Sequence, residues 1–166
     1  KKYKPWGIIL FSRNIKSIPQ TQKLTSQIKK LFNDKNYPIL IDEEGGKVSR
    51  LNKFIDNSIF SAKFFSNLFT KDKKKFYIFY NTYVKQISYL LNLLGININT
   101  VPVLDVRRKT TNNVIGNRSF SSNPLLVSKL GKICINKFHE NNIATVIKHI
   151  PGHGLSKVDS HNKLPI

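Results

Sequence analysis

Short apolar runs alternate with longer amphipathic segments along the chain, and this alternation predicts a parallel α/β fold. Continuous apolar runs are typical of strands that are buried on both faces of a parallel sheet. The predicted strands span residues 6–11, 39–41, 96–106 and 143–147. Apolar residues recur at helical spacing between these strands. The predicted helices span residues 19–32, 73–94 and 124–141, with a loop or short helix over residues 51–67. No repeat or linker divides this single predicted domain.

Polar residues follow the last three predicted strands directly. Asp42 ends the second strand, Asp105 lies at the end of the third, and Lys148 and His149 follow the fourth. The carboxyl ends of parallel strands meet at one edge, and the loops there carry the active sites of α/β barrels. We therefore predict a functional site at this edge. The alternative for Asp42 is a structural role as the N-cap of a helix.

Sugar binding is the chemistry that these residue types favour. Asp42 can accept hydrogen bonds from hydroxyl groups, whereas Lys148 and His149 can donate them, and each sugar hydroxyl needs partners of both kinds. In the following loop, the planar guanidinium of Arg118 is suited to clamp a substrate oxygen or carboxylate. Two structural alternatives stay open. Lys148 is also a candidate ion-pair partner for Asp42 or Asp105, and Arg118 for Asp105.

The last nineteen residues form a histidine-dense segment with candidates for proton transfer. Asp159 lies two residues before His161. At this spacing the carboxylate can hold the Nδ1–H tautomer and leave Nε2 of the imidazole as a general acid/base. A metal site is the alternative, but His149, His153, Asp159 and His161 follow one another at spacings of four, six and two residues. No standard zinc pattern has these spacings, so we predict proton transfer and no metal.

Length, charge and cysteine content narrow the classes of protein. The chain has 166 residues, of which 40% are hydrophobic, whereas a complete eight-stranded barrel takes about 250. A net charge of +19 would favour nucleic acid as a partner. However, the excess comes from 23 Lys against 5 Arg spread along the whole chain, so we predict no nucleic-acid partner. No apolar run reaches the roughly 18 residues of a membrane span. The single Cys134 forms no intrachain disulfide, and we expect a buried thiol and a cytoplasmic protein.

Four ordered motifs carry a resemblance to a known family. They are Ile41–Val48 (IDEEGGKV), Pro102–Val106 (PVLDV), Gly116–Phe120 (GNRSF), and Lys148–Gly154 (KHIPGHG) followed by Asp159-Ser160-His161. In this order and spacing the chain resembles the β-N-acetylglucosaminidase branch of family-3 glycoside hydrolases.

The resemblance implies a partial (β/α)8 TIM-type barrel that removes terminal N-acetylglucosamine with retention of configuration. The expected substrates are saccharides or muropeptides released during peptidoglycan recycling, and no cofactor is implied. The Asp159–His161 pair takes the acid/base role that a second carboxylate plays in most glycosidases. Asp42, Arg118, Lys148 and His149 fall where the family contacts the sugar.

Two departures from the family qualify this expectation. Leu155-Ser156 stand where several members have Asp-Thr, a position that varies within the branch. In addition, the family's nucleophilic aspartate lies on a later strand, and the resemblance implies a first barrel strand before residue 6. We therefore expect a central barrel segment, truncated at both ends, that does not form the glycosyl-enzyme intermediate alone. The alternatives are a phosphorolytic N-acetylglucosaminidase, a β-glucosidase of the family, or an inactive sugar-binding fragment.

Overall fold

The computed structural model describes residues 3–159 and 163–164, which form an α/β structure. The strands and helices alternate from the start of the chain. In chain order they are β1 (Ile8–Leu10), α1 (Ile18–Phe32), β2 (Ile39–Ile41), α2 (Ala62–Lys71), α3 (Lys73–Leu93), β3 (Ile98–Asn99), α4 (Pro124–His139) and β4 (Ala144–Thr145). Short 3-10 turns occupy Ser12–Asn14 and Gly116–Arg118.

The four strands form one sheet in the order β1-β2-β3-β4, and every neighbouring pair is parallel. Ile41 of β2 lies opposite both Leu10 of β1 and Asn99 of β3, and Asn99 in turn lies opposite Thr145 of β4. The first three strands are each followed by helix, and parallel strands in sequential order with helices between them are the arrangement of a (β/α)8 barrel. The predicted fold class, a partial barrel, is confirmed.

The predicted lengths of the third and fourth strands were wrong. Only Ile98–Asn99 and Ala144–Thr145 form regular strand. Pro102 interrupts β3 because proline has no N–H to donate to the ladder. The segments that follow β3 and β4 nevertheless stay adjacent, since Lys148 N donates to Pro102 O at 3.1 Å and Leu104 N donates to Lys148 O at 2.6 Å. This pairing holds the ends of the two strands side by side.

The helices begin and end where the local sequence supplies capping groups. The side chains of Ser61, Asp72 and Asn123 accept hydrogen bonds from backbone N–H groups at the starts of α2, α3 and α4. These bonds satisfy donors that have no partner within the helix. Gly95 follows α3 with a positive φ of 74°, as expected at a helix end that requires the left-handed region. Helix α2 begins within residues 51–67, which were predicted as a loop or short helix, and it continues to Lys71.

The core lies between the sheet and the helices α2, α3 and α4. The phenylalanine and tyrosine rings of α2 and α3 pack edge to face and in stacks. Phe76, Tyr80 and Tyr83 of α3 are buried in this cluster, whereas Phe79 of the same helix is exposed. The fully buried side chains here include Phe65, Phe76, Ile39, Ile41, Ile87, Leu91 and Leu130. Each such residue contributes about 1.5–3 kcal/mol by leaving water.

Cys134 lies in this core, facing the tyrosines of α3. Its side chain is buried, and burial raises the pKa of the thiol to about 12, although a hydrogen bond with Tyr80 acts in the opposite direction. A protonated, enclosed thiol is a poor nucleophile. The expectation of a buried, inert cysteine is confirmed. Within the described part of the chain, none of the helices has the length and apolar character needed to cross a bilayer.

Candidate functional site

Two acidic and two basic side chains form a connected ion-pair network at the carboxyl ends of β2 and β4. Lys148 Nζ lies 2.9 Å from Asp42 Oδ1 and 2.6 Å from Glu44 Oε1. Arg118 binds the same Glu44 carboxylate through two nitrogens, at 2.8 and 3.0 Å. The four side chains are between 5% and 20% exposed. The network is thus largely shielded from water but open at the side of Asp42.

Asp42 is anionic and still accessible to a ligand. Burial by itself raises the pKa of this carboxyl, but hydrogen bonds from Thr100 and Lys148 and the charges of Lys148 and Arg50 lower it below its ordinary value overall. One carboxylate oxygen of Asp42, Oδ1, accepts a short hydrogen bond from Thr100 Oγ1 at 2.5 Å. Among the described residues, the other oxygen, Oδ2, has Arg50 as its partner, at 3.4 Å. Oδ2 therefore retains capacity to accept a ligand hydroxyl.

His149 is held by a buried carboxylate at the next strand end. Its Nδ1 lies 2.6 Å from Oδ2 of Asp105, whose side chain is fully buried. The other oxygen, Oδ1, accepts backbone N–H groups of His153 and Gly154. Burial raises the pKa of Asp105, but the hydrogen bonds from His149 and His153 lower it below its ordinary value overall. An ionised Asp105 accepts from Nδ1–H of His149, and in the neutral tautomer that carries this proton the Nε2 atom is an acceptor.

This geometry decides between the structural alternatives. The Lys148–Asp42 ion pair, one of the alternatives for Lys148, is present, and it lies within the site rather than away from it. The alternative ion pair between Arg118 and Asp105 does not form, because Arg118 binds Glu44 and Asp105 binds His149. The N-cap alternative for Asp42 is also wrong, since its partners are Thr100, Lys148 and Arg50, and α2 starts twenty residues later.

Two further carboxylates of the β2 loop, Glu43 and Glu44, were not singled out by the sequence analysis. Glu44 joins Lys148 to Arg118 in the network. Glu43 is buried and accepts backbone N–H groups of Arg50 and Leu51 at 2.7 and 3.0 Å. Burial raises the pKa of Glu43 even though these hydrogen bonds act to lower it. The sequence signal for both was their position directly after Asp42 at the end of the predicted strand.

The acid/base prediction falls at the limit of what the structure describes. His161 lies outside the described residues. Asp159 is described and partly buried, and its backbone oxygen accepts from Lys163 N at 2.9 Å. The Asp159–His161 pair therefore stays a prediction. The segment that leads to Asp159 is tied to the loop after β3, because Asn112 N donates to Ser156 O at 2.9 Å and Asn112 Nδ2 to Lys157 O at 3.1 Å.

A metal centre has no support in the described residues. Across 3–159 and 163–164, histidine, cysteine, aspartate and glutamate side chains do not gather in any group of three that could hold an ion. Asp105 and His149 make a pair, and Lys148 and Arg118 neutralise the other carboxylates of the site. The arrangement is one of hydrogen-bond donors and acceptors set around polar atoms of a ligand.

Comparison with known proteins gives a consistent assignment. The profile of the glycosyl hydrolase family 3 N-terminal domain matches residues 1–166. Beta-hexosaminidase A of Pseudoalteromonas piscicida is 35% identical over 99% of this chain, and a beta-hexosaminidase of Neisseria meningitidis is 34% identical over 96%. The chain spans only 28% and 44% of those two proteins, less than half of either.

Solved structures show the same relationship. NagZ from Neisseria gonorrhoeae in complex with N-trifluoroacetyl-D-glucosamine superposes with a TM-score of 0.80 at 33% identity, covering 96% of this chain and 47% of that one. A family 3 beta-N-acetylglucosaminidase from Paenibacillus gives a TM-score of 0.72 at 31% identity, covering 96% of this chain and 30% of that one. Sequence match and shared fold agree, and the chain belongs to glycosyl hydrolase family 3.

Proposed function

We propose that this chain forms the sugar-binding part of a retaining glycoside hydrolase that removes terminal β-linked N-acetylglucosamine. The observation that carries the proposal is the Asp42–Lys148–Glu44–Arg118 network at the carboxyl edge of the sheet. It offers anionic acceptors and cationic donors within one half-buried site, which is what a ring of sugar hydroxyls requires. A relative that binds an N-acetylglucosamine analogue supports the choice of sugar.

Each residue of the network has a distinct proposed role in binding. Asp42 accepts hydrogen bonds from sugar hydroxyls through Oδ2, which Arg50 contacts at 3.4 Å. Arg118 donates to sugar oxygens through the N–H groups that Glu44 and Val114 leave over. The three N–H groups of Lys148 already bind Asp42, Thr100 and Glu44, so Lys148 donates to a sugar oxygen that replaces one of these partners. His149, fixed by Asp105, accepts a hydrogen bond from a sugar hydroxyl at Nε2. Glu44 contacts no sugar in this proposal and holds the two cations in place.

The proposed chemistry uses Asp159 and His161 as the acid/base pair. His161 would give a proton to the glycosidic oxygen as the bond breaks, and would later take one from the attacking water. Asp159 would hold the tautomer that makes this exchange possible. In this proposal the nucleophile that the family resemblance implies is not among residues 1–166. We accordingly propose that residues 1–166 bind the sugar without completing the covalent step.

The natural substrate and setting are proposed from the resemblance. Muropeptides that contain N-acetylglucosamine are the proposed substrates, with a role in peptidoglycan recycling in the cytoplasm. Phosphorolysis and β-glucosidase activity are the other chemistries of the family that the residues allow. A titration that compares N-acetylglucosamine with glucose separates N-acetylglucosaminidase specificity from β-glucosidase specificity.

Calorimetric titration with N-acetylglucosamine tests the binding proposal. Asp42→Asn keeps the side-chain shape but removes the charge, and loss of a charged hydrogen bond of about 1.5–3 kcal/mol weakens binding at least about 10-fold. Asp56→Asn is the matched control, because Asp56 is fully exposed and lies outside the site. Equal affinity in the two variants, or no binding by the parent chain, would contradict the proposal.

A chromogenic N-acetylglucosaminide tests the proposed division of labour. We expect the 166-residue chain to release no burst of leaving group while still binding the sugar. A stoichiometric burst would show that these residues complete the covalent step. Binding of the sugar without turnover is also the behaviour of the alternative, an inactive sugar-binding protein. A longer chain that includes the nucleophile strand separates the two, because only the proposed enzyme turns over there.

A further inference from the structure

A polar surface cavity is lined by four exposed cationic side chains and by Ser119, which directly follows Arg118 of the candidate site. It has a volume of about 510 Å³, and Lys63, Arg107, Arg108 and Lys109 contribute all of its charged side chains. The remaining lining consists of the serines at positions 119, 121 and 122. We call the four cationic residues the basic cluster. A concave space of this size suits a small ligand rather than an extended polymer.

The basic cluster has no carboxylate partner among residues 3–158 and 163–164. None of the ion pairs between these residues includes Lys63, Arg107, Arg108 or Lys109. The cations of the candidate sugar site behave differently, since Lys148 and Arg118 both bind Glu44. Four like charges around one cavity repel one another, so an anion in the cavity would relieve an unfavourable arrangement.

Two helix starts add to the positive potential of this region. Lys63 lies in the first turn of α2, and that turn contains no acidic residue. The serines at 121 and 122 immediately precede Asn123, which caps α4, and the first turn of α4 also lacks an acid. Helix N-termini favour anions and disfavour lysine. A lysine placed there opposes the local preference, and such conflicts are typical of functional positions.

The loop that carries three members of the cluster is held in a defined conformation. Arg107 N donates to Ser121 O at 3.1 Å, and Arg108 N donates to Thr111 Oγ1 at 2.7 Å. The hydroxyl of Thr111 donates in turn to Gly154 O. The cavity is therefore fixed to the segment that leads into the proposed acid/base pair, and a bound anion would lie on the rim of the sugar site.

We infer that the basic cluster binds an anionic group of the phosphate or carboxylate class. Arginine is suited to such groups because its planar donors match two oxygens at once. The group could be a free anion or could belong to an acidic saccharide whose sugar ring occupies the neighbouring site. The inference rests on the cluster and its cavity, and it does not depend on the glycosidase activity proposed above.

Calorimetric titration with inorganic phosphate tests this inference on the full chain. Arg107→Gln combined with Arg108→Gln removes two charges from the cavity, and we expect the affinity for phosphate to fall at least about 10-fold. Lys74→Gln combined with Lys85→Gln is the matched control, since it removes the same charge from exposed positions of α3. The control should retain affinity within about twofold. Circular dichroism verifies that both variants are folded.

The outcomes separate this site from the sugar site. No phosphate binding by the parent chain, or equal losses in the two double variants, would overturn the inference. N-acetylglucosamine should bind the Arg107→Gln/Arg108→Gln variant as it binds the parent, so failure of sugar binding in the parent bears on the proposed function alone. N-acetylglucosamine 6-phosphate distinguishes the sources. If N-acetylglucosamine 6-phosphate binds more tightly than both phosphate and N-acetylglucosamine, the anion belongs to an acidic saccharide. If it binds with the same affinity as phosphate, the ligand is a free anion.

Discussion

Replacing Asp105 with asparagine tests whether a buried carboxylate sets the state of His149. The carboxylate is fully enclosed and accepts Nδ1–H of His149 at 2.6 Å and the N–H of Gly154 at 3.1 Å. An amide keeps the acceptor for the backbone but presents N–H₂ to the imidazole, where an acceptor is required. His149 must then change tautomer or lose the bond. The loss of one hydrogen bond to a charged group corresponds to about 1.5–3 kcal/mol of unfolding free energy.

Urea unfolding followed by circular dichroism measures this loss. A double-mutant cycle with His149→Gln isolates the pair, because the two substitutions should interact by about the same 1.5–3 kcal/mol. Asp56→Asn, at an exposed position, should leave the unfolding midpoint essentially unchanged. If the effects of Asp105→Asn and His149→Gln add within about 0.5 kcal/mol, the residues act independently and the reasoning fails.

The pH dependence of the same variant gives a second readout. Hydrogen bonds lower the pKa of Asp105 in the folded protein, despite the opposing effect of burial. A lowered folded pKa means that the ionised carboxylate stabilises the fold fully above the unfolded value of about 3.9. That stabilisation is lost as the pH falls below this value. The stability difference between the parent and Asp105→Asn should therefore narrow below about pH 4, and a constant difference would contradict the assignment.

Three further substitutions or reagents probe other parts of the structure. Lys148→Met should lower the unfolding free energy by about 2–4 kcal/mol, because it leaves the carboxylates of Asp42 and Glu44 without their shared cation; urea unfolding measures this, and an unchanged midpoint would be inconsistent with the network. Gly45→Ala should destabilise by at least about 1–3 kcal/mol, since φ is +78° and the added methyl would lie 2.3 Å from a backbone oxygen. Thermal unfolding checks it, and a rise in melting temperature would refute it. Cys134 should react with a thiol reagent only after unfolding, because it is buried and its pKa is about 12; rapid labelling of the folded chain would show otherwise.

The fold could be predicted because its strands and helices differ in hydrophobic period. Continuous apolar runs indicated the strands, and the helical spacing of apolar residues indicated α3, whose buried side chains belong to the core. Strand length could not be predicted in the same way. Residues 100–106 are apolar enough for a strand, yet Pro102 and the turn at Val101, whose N–H donates to Asn99 O, end the regular ladder after two residues. Hydrogen bonding between neighbours, rather than hydrophobicity, decides that boundary.

Most residues of the candidate site could be predicted, but the way in which their side chains pair could not. Asp42 and Lys148 were identified because parallel strands place their carboxyl ends together, and the two side chains do meet. Asp105 was one candidate partner for Arg118, but Arg118 reaches across to Glu44 instead. Such pairings depend on the side to which each side chain points after its strand ends. No local pattern gives that direction once the regular strand has stopped.

The most direct test of a sugar site at this edge is a crystal structure of the chain with N-acetylglucosamine. We predict sugar oxygens within about 2.7–3.2 Å of the Asp42 carboxylate and the Lys148 ammonium. We also predict a contact between a hydroxyl and Nε2 of His149. A sugar bound elsewhere on the surface, with Asp42 and Lys148 paired only to each other and to Glu44, would contradict the account.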